Sequence, residues 1–109
     1  MPHYMLQFSY TPESFAALMR SPEDRTGAVD ALAKQAGGRL IAIYYHTGEY
    51  DGTIISEFPD DASANAVVMA AIASGTLRST KSTRLYSAKE FVEALGKAGK
   101  IKYQPPGKK

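Results

Sequence analysis

The stretch LIAIYYHTGEYDGTIISEF (40–58) sets two apolar, β-prone runs on either side of the pentapeptide GEYDG (48–52). Residues 39–47 and 50–58 therefore read as neighbouring antiparallel strands, rich in Ile, Tyr and Thr. Two turns compete for the connection. Asp51-Gly52 fits a type I′ turn, and Gly48-Glu49 fits a type II′ turn. With Asp51-Gly52, Ile54 falls opposite Glu49, a poor sorting of apolar from charged. With Gly48-Glu49, Thr47 faces Tyr50 and His46 faces Asp51. One face then holds Ile41, Ile43, Tyr45, Tyr50, Ile54 and Phe58. The other holds Leu40, Ala42, Tyr44, His46, Asp51, Thr53, Ile55 and Glu57. The better sorting selects Gly48-Glu49. A slip of one residue would exchange the faces, so the choice decides what lies under the helices.

The flanking segments extend the pattern. HYMLQFSY (3–10) alternates, with Tyr4, Leu6, Phe8 and Tyr10 on one face, and predicts a strand. Thr11 with Pro12 is a helix start, giving a short helix near 12–20. Ser21, Pro22 and Asp24 repeat the device, predicting a second helix near 22–36 that Gly37-Gly38 stop. After Pro59, Asp60-Asp61 open a helix near 61–74 that is alanine-rich and apolar almost all round, and this helix is expected to be buried, partly against the sheet and partly against another subunit. TLRSTKSTRLY (76–86) reads as a polar strand. SAKE (87–90) is a capping box, followed by a Phe91, Ala94, Leu95, Ala98 stripe that predicts a packed last helix. The order β-α-β-β-α-β with extra helices is that of an α+β, ferredoxin-like fold with a four-stranded antiparallel sheet. Helices cover one sheet face. The other, carrying Met5, Leu40, Ala42 and Ile55, is expected to be buried by a second copy, so the reading is a homodimer.

At 109 residues the chain suits one domain, assigned to 1–99, with a basic extended tail at 100–109 expected to be mobile at its end. Residues 78–109 carry nine Lys or Arg against two Glu, a net +7, whereas residues 1–77 carry four against nine acidic residues, a net −5. This reads as a solvated tail complementing an acidic body; an anion-binding surface is the rival reading. No run is long and apolar enough for a membrane helix, and MPHYMLQF has no signal-peptide pattern, so a cytoplasmic protein is expected. The chain has no Cys, which removes disulfides, thiolate metal sites and a Cys nucleophile. Basic and aromatic residues in the tail are too few to indicate nucleic acid.

GEYDG followed by EFPDD (57–61) resembles the GYD-domain family, named for its Gly-x-Tyr-Asp motif. YMLQFSYTPES, PEDR and GGRL are also similar to its members, so the resemblance spans roughly residues 3–98. It implies a ferredoxin-like, dimeric α/β-barrel architecture, with Gly48, Tyr50 and Asp51 at the motif positions. It implies no particular reaction, and His46 stands outside the motif.

Tyr44, His46, Asp51 and Glu57 share the open face in the chosen register, where opposed Cβ atoms lie about 5 Å apart. A carboxylate opposite an imidazole fixes its tautomer, which is how a general base is oriented. One reading is therefore a ligand site with Tyr44 as hydrogen-bonding partner and His46, Asp51 and Tyr44 as candidate catalytic groups. The other is that Asp51 ties the hairpin to backbone N–H groups while Tyr and His fill a sheet interface. His3 and His46 alone are weak grounds for haem, the His and carboxylates lack metal-site spacing, and no phosphate loop is present. No cofactor and no metal are expected. The sequence thus predicts a homodimer holding a small organic molecule between its two sheets, without nucleic-acid or membrane partners. The alternative is a non-catalytic assembly or interaction module whose interior is filled.

Overall fold

A computed structural model describes residues 1–107. The elements are β1 (His3–Tyr10), α1 (Pro12–Arg20), α2 (Thr26–Gln35), β2 (Arg39–Tyr45), β3 (Gly52–Glu57), α3 (Asp61–Ala73), β4 (Leu77–Leu85) and α4 (Ala88–Ala98). The four strands form one antiparallel sheet in the order β2-β3-β1-β4, the ferredoxin-like arrangement. β1 and β3 are central, and β2 and β4 are the edges.

Local chemistry sets the helix ends. Thr11 accepts the Ser14 N–H, with Pro12 at the first helical position of α1. Asp60 accepts the Ser63 N–H at the start of α3. Ser87 and Glu90 cap each other's backbone N–H groups at α4, the expected capping box. The second helix begins later than expected. Ser21 is the C-cap of α1, and Asp24 accepts the Thr26 N–H and hydroxyl, so α2 starts at Thr26 rather than near 22. Two capping side chains in SPED left two possible starts, and the one nearer the apolar stripe prevails.

The hairpin has the expected register, but residues 47–50 form an open four-residue connection instead of a hydrogen-bonded two-residue turn. His46 N–H donates to the Asp51 carbonyl, Tyr45 pairs with Gly52, and Gly48 has φ +122°. That φ requires a residue without Cβ. Strands end sooner than expected, at Tyr45 and from Gly52, because beyond the His46 N–H to Asp51 carbonyl bond the two chains no longer pair. The register also shifts between Leu40 and Ala42. This bulge at Ile41 reverses the expected facing at the start of β2. Leu40 turns beneath the helices and Ile41 is 40% exposed, where the opposite was expected.

The core lies between the sheet and α2/α3. Ala33, Phe58 and Ala64 are buried there, with Tyr4, Ala36 and Val67 against them. Phe8, Tyr10, Phe15 and Tyr45 make a second, aromatic cluster through edge-on ring contacts of 5.3–6.1 Å. Tyr50, expected in the core, is only partly buried, and Tyr45, expected on the same face, is 51% exposed although its ring meets Phe8 edge-on. Two glycines are fixed by packing. A Cβ on Gly52 would lie 2.4 Å from the Phe8 ring, and one on Gly38 would lie 2.3 Å from the Glu57 carbonyl.

Two helices are less covered within one protomer than their apolar patterns suggest. Of α3 only Ala64 is buried, and Met69 and Ile72 are exposed, because its alanines do not fill the layer above the sheet. α4 has no buried residue and no substantial packing against another element. Its stripe is intact but unpartnered, and the chain extends over 62 × 32 × 22 Å as a result. The tail from Lys100 to Gly107 is exposed; Lys108 and Lys109, on which the expected mobility partly rested, lie outside the described residues.

Candidate functional site

The sheet surface under the helices carries Tyr4, Leu6, Phe8 and Tyr10 from β1, Ile54 and Ser56 from β3, and Ser82 from β4. Above it, α2 contributes Val29, Leu32 and Ala33, and α3 contributes Ala64, Val67, Val68 and Ala71. Alanine on the helix and serine on the sheet are too short to meet across a layer of about 10 Å. The gap they leave is a cavity of about 260 Å³. Besides the two tyrosines, its polar groups are Ser56 and Ser82 on the sheet, Asn65 on α3, Ser74 and Thr76 after α3, and Arg25 before α2.

Tyrosines mark both ends. Tyr4 donates to Asp61 Oδ1, and burial, then that hydrogen bond, pushes its phenol up from the ordinary value. Tyr10 Oη lies 3.2 Å from Tyr45 Oη. Its phenol is pushed up strongly, first by burial and then by that hydrogen bond. Both therefore stay neutral at physiological pH. The described lining contains no His, Asp, Glu or Lys. It is an apolar chamber with one cation, Arg25, whose guanidinium also donates to Glu23 Oε1 at 2.9 Å.

The four residues singled out from the sequence stand elsewhere. Asp51 Oδ2 accepts the Tyr10 N–H at 2.9 Å, and the Asp51 N–H donates to the Phe8 carbonyl at 2.8 Å. The motif aspartate thus ties the hairpin to the central strand at the aromatic cluster. His46 Nε2 lies 2.7 Å from Thr53 Oγ1 on the open face. His46 and Asp51 are backbone neighbours across the turn, but their side chains bond to different partners. Tyr44 is 69% exposed on edge strand β2. Glu57 accepts from Arg39 Nε at 2.6 Å and lies 3.2 Å from His3 Nε2. The Arg39 hydrogen bond, outweighing partial desolvation, holds its carboxyl below the usual carboxylate range, with His3 adding to the effect. None of the four lines the 260 Å³ cavity, nor a second hollow of about 390 Å³ between Met1, His3, Tyr86 and Glu90.

Sequence reasoning placed Tyr4 and Tyr10 beneath the helices but missed the chamber. The available signal was the alanine content of residues 62–73, which marks space as readily as close approach. Among the described residues no three His, Asp or Glu side chains gather as a metal site, and no helix is long and apolar enough to cross a membrane.

Two solved structures are similar in fold. The Thermus thermophilus protein TTHA0845 is 17% identical, with a TM-score of 0.52 over 81% of this chain and 96% of its own. The Neisseria meningitidis transcriptional regulator NMB0573, solved in complex with L-Met, is 18% identical, with a TM-score of 0.50 over 80% of this chain. The chain spans about half of that regulator, 51%. No curated protein matches the chain at a significant level. The model of the GYD domain matches residues 4–95, nearly the whole fold and the GEYDG motif within it. The chain belongs to the GYD domain family.

Proposed function

We propose that the protein binds a small, uncharged, largely apolar organic molecule, and that the molecule sits between the sheet and α2/α3 of one protomer. The observation that carries this is the cavity of about 260 Å³, walled by apolar side chains with a few polar groups. A dry cavity of roughly 150 Å³ holds benzene, and drug-sized ligands take about 300 Å³ or more. The fitting class is therefore one or two rings, or a short branched chain, with one polar group directed to Ser56, Ser82 or Arg25. The lining has no group suited to acid–base work at neutral pH, which favours binding over catalysis. The proposed site is thus on the helix side of the sheet instead of between two sheets. The open face, with Met5, Ala42 and Ile55 partly exposed, pairs with a second copy, and His46, Tyr44 and Glu57 then border that interface.

Native mass spectrometry of the purified protein tests the binding. A retained molecule at one per chain, lost in Val67→Phe with the melting temperature kept or raised, is the expected result. A ligand retained equally by Val67→Phe would put it elsewhere. No retained or titratable small molecule would leave the filled assembly module.

A further inference from the structure

We propose that the chamber's ligand is a neutral carbonyl compound, an aromatic or alicyclic ketone, aldehyde or lactone, whose carbonyl oxygen accepts from the Arg25 guanidinium at the Tyr10 end of β1. This rests on the chamber reading above and names the polar group that reading left open. Tyr4 and Tyr10 stand about 20 Å apart along the strand, so a molecule of one or two rings occupies one end only. The Tyr4 end is taken up by protein. Ala33, Phe58 and Ala64 are buried there with Tyr4, Ala36 and Val67 against them, and the Tyr4 hydroxyl is spent on Asp61. At the Tyr10 end polar groups converge. The Thr11 N–H donates to the Thr76 carbonyl at 3.0 Å, which brings Ser74 and Thr76 beside the end of β1. Arg25 belongs to the same end, since its charge opposes the rise of the Tyr10 phenol.

One of these groups has donors to spare. Ser74 Oγ lies 2.6 Å from the Ala71 carbonyl and 2.9 Å from Thr76 Oγ1, so the two hydroxyls are engaged with each other and with the end of α3. Tyr10 Oη is paired with Tyr45 Oη. The Arg25 guanidinium has several N–H donors and no acceptor, and its bond to Glu23 Oε1 uses Nη1. A ligand group that meets it is therefore an acceptor. Charge decides between a carbonyl and a carboxylate. Glu23 already pairs with Arg25, Asp24 is its chain neighbour, and Asp51 holds the Tyr10 N–H. Three carboxylates around one guanidinium repel an anion, and a neutral acceptor is what fits.

Equilibrium dialysis with 2-acetylnaphthalene, 2-ethylnaphthalene and 2-naphthoate tests this. The first two share nearly one shape and differ in the carbonyl. The wild type should bind the ketone about 10-fold or more tighter than the hydrocarbon, the factor of one hydrogen bond from a charged donor, although the hydrocarbon is the more hydrophobic. Arg25→Met keeps an apolar stem and removes the donors. There the ratio should fall to one or below, because a carbonyl buried without a partner is disfavoured. The naphthoate should bind the wild type more weakly than the ketone, and Glu23→Gln should narrow that gap. Arg25 and Glu23 are 38% and 54% exposed, so both variants should melt as the wild type does. Failure of all three compounds to bind the wild type overturns the chamber reading and the carbonyl class with it. Ketone and hydrocarbon bound equally, a ketone preference that survives Arg25→Met, or a naphthoate that binds tightest or gains nothing from Glu23→Gln overturns the carbonyl class alone.

Discussion

Gly52 ends the motif pentapeptide, and its role is set by packing rather than by the turn. Replacing it with Ala puts a Cβ 2.4 Å from Phe8 Cζ and 2.7 Å from Cε1. Ordinary contact begins near 3.4 Å, so the ring must move by about 1 Å. Phe8 is 3% exposed and packed edge-on against Tyr10 and Tyr45, so its ring moves only by displacing those neighbours. Overpacking of this kind costs about 1–3 kcal/mol, and the lost chain freedom of Gly returns about 0.4–1 kcal/mol. The net expectation is a loss of about 2 kcal/mol. With a urea slope of about 1–3 kcal/mol/M, the midpoint should fall by about 1 M at unchanged slope. The decisive assay is a double-mutant cycle. Phe8→Ala alone should cost about 3–5 kcal/mol, but in that background Gly52→Ala should cost nothing or stabilise. An equal cost for Gly52→Ala with and without Phe8 refutes the packing account.

Other perturbations read separate parts of the structure. Gly48→Ala meets no neighbour within 4 Å but holds φ +122°, so it should lose about 1–2 kcal/mol to backbone strain, insensitive to Phe8→Ala in the same urea assay. Asp51→Ala strands the Tyr10 N–H at the aromatic cluster and should cost about 1–3 kcal/mol, whereas Asp51→Asn retains an acceptor and should cost clearly less by thermal melting. Glu57 has its carboxyl lowered in the fold by Arg39 and then His3. Its stabilisation is therefore present above the unfolded value and lost as pH falls through the folded one. Urea midpoints should decline below about pH 5, and more shallowly in Glu57→Gln.

The hairpin register was legible because one residue had to be Gly and two alternating strands had to sort onto the same face. Gly48 and the pairs Tyr45–Gly52 and Ile43–Ile54 follow from those demands. The bulge at Ile41 was not legible: Leu40, Ile41 and Ala42 are all apolar, and pattern alone does not show which is skipped. Leu40 therefore lies on the face opposite to the expected one. SPED holds two capping side chains, which establishes that α2 exists but leaves its start open. The cavity depends on how far α3 stands from the sheet, a distance that alanine spacing leaves open. The amphipathic stripe of α4 was plain in the sequence, but its missing partner appears only when the packing is seen.

The central claim is the place of the ligand, and an amide NMR titration with naphthalene tests it most directly. Saturable shifts at Val29, Leu32, Val67, Val68 and Ala71, abolished in Val67→Phe, are the predicted result. Shifts confined to Tyr44, His46, Thr53 and Ile55 on the open face would contradict it.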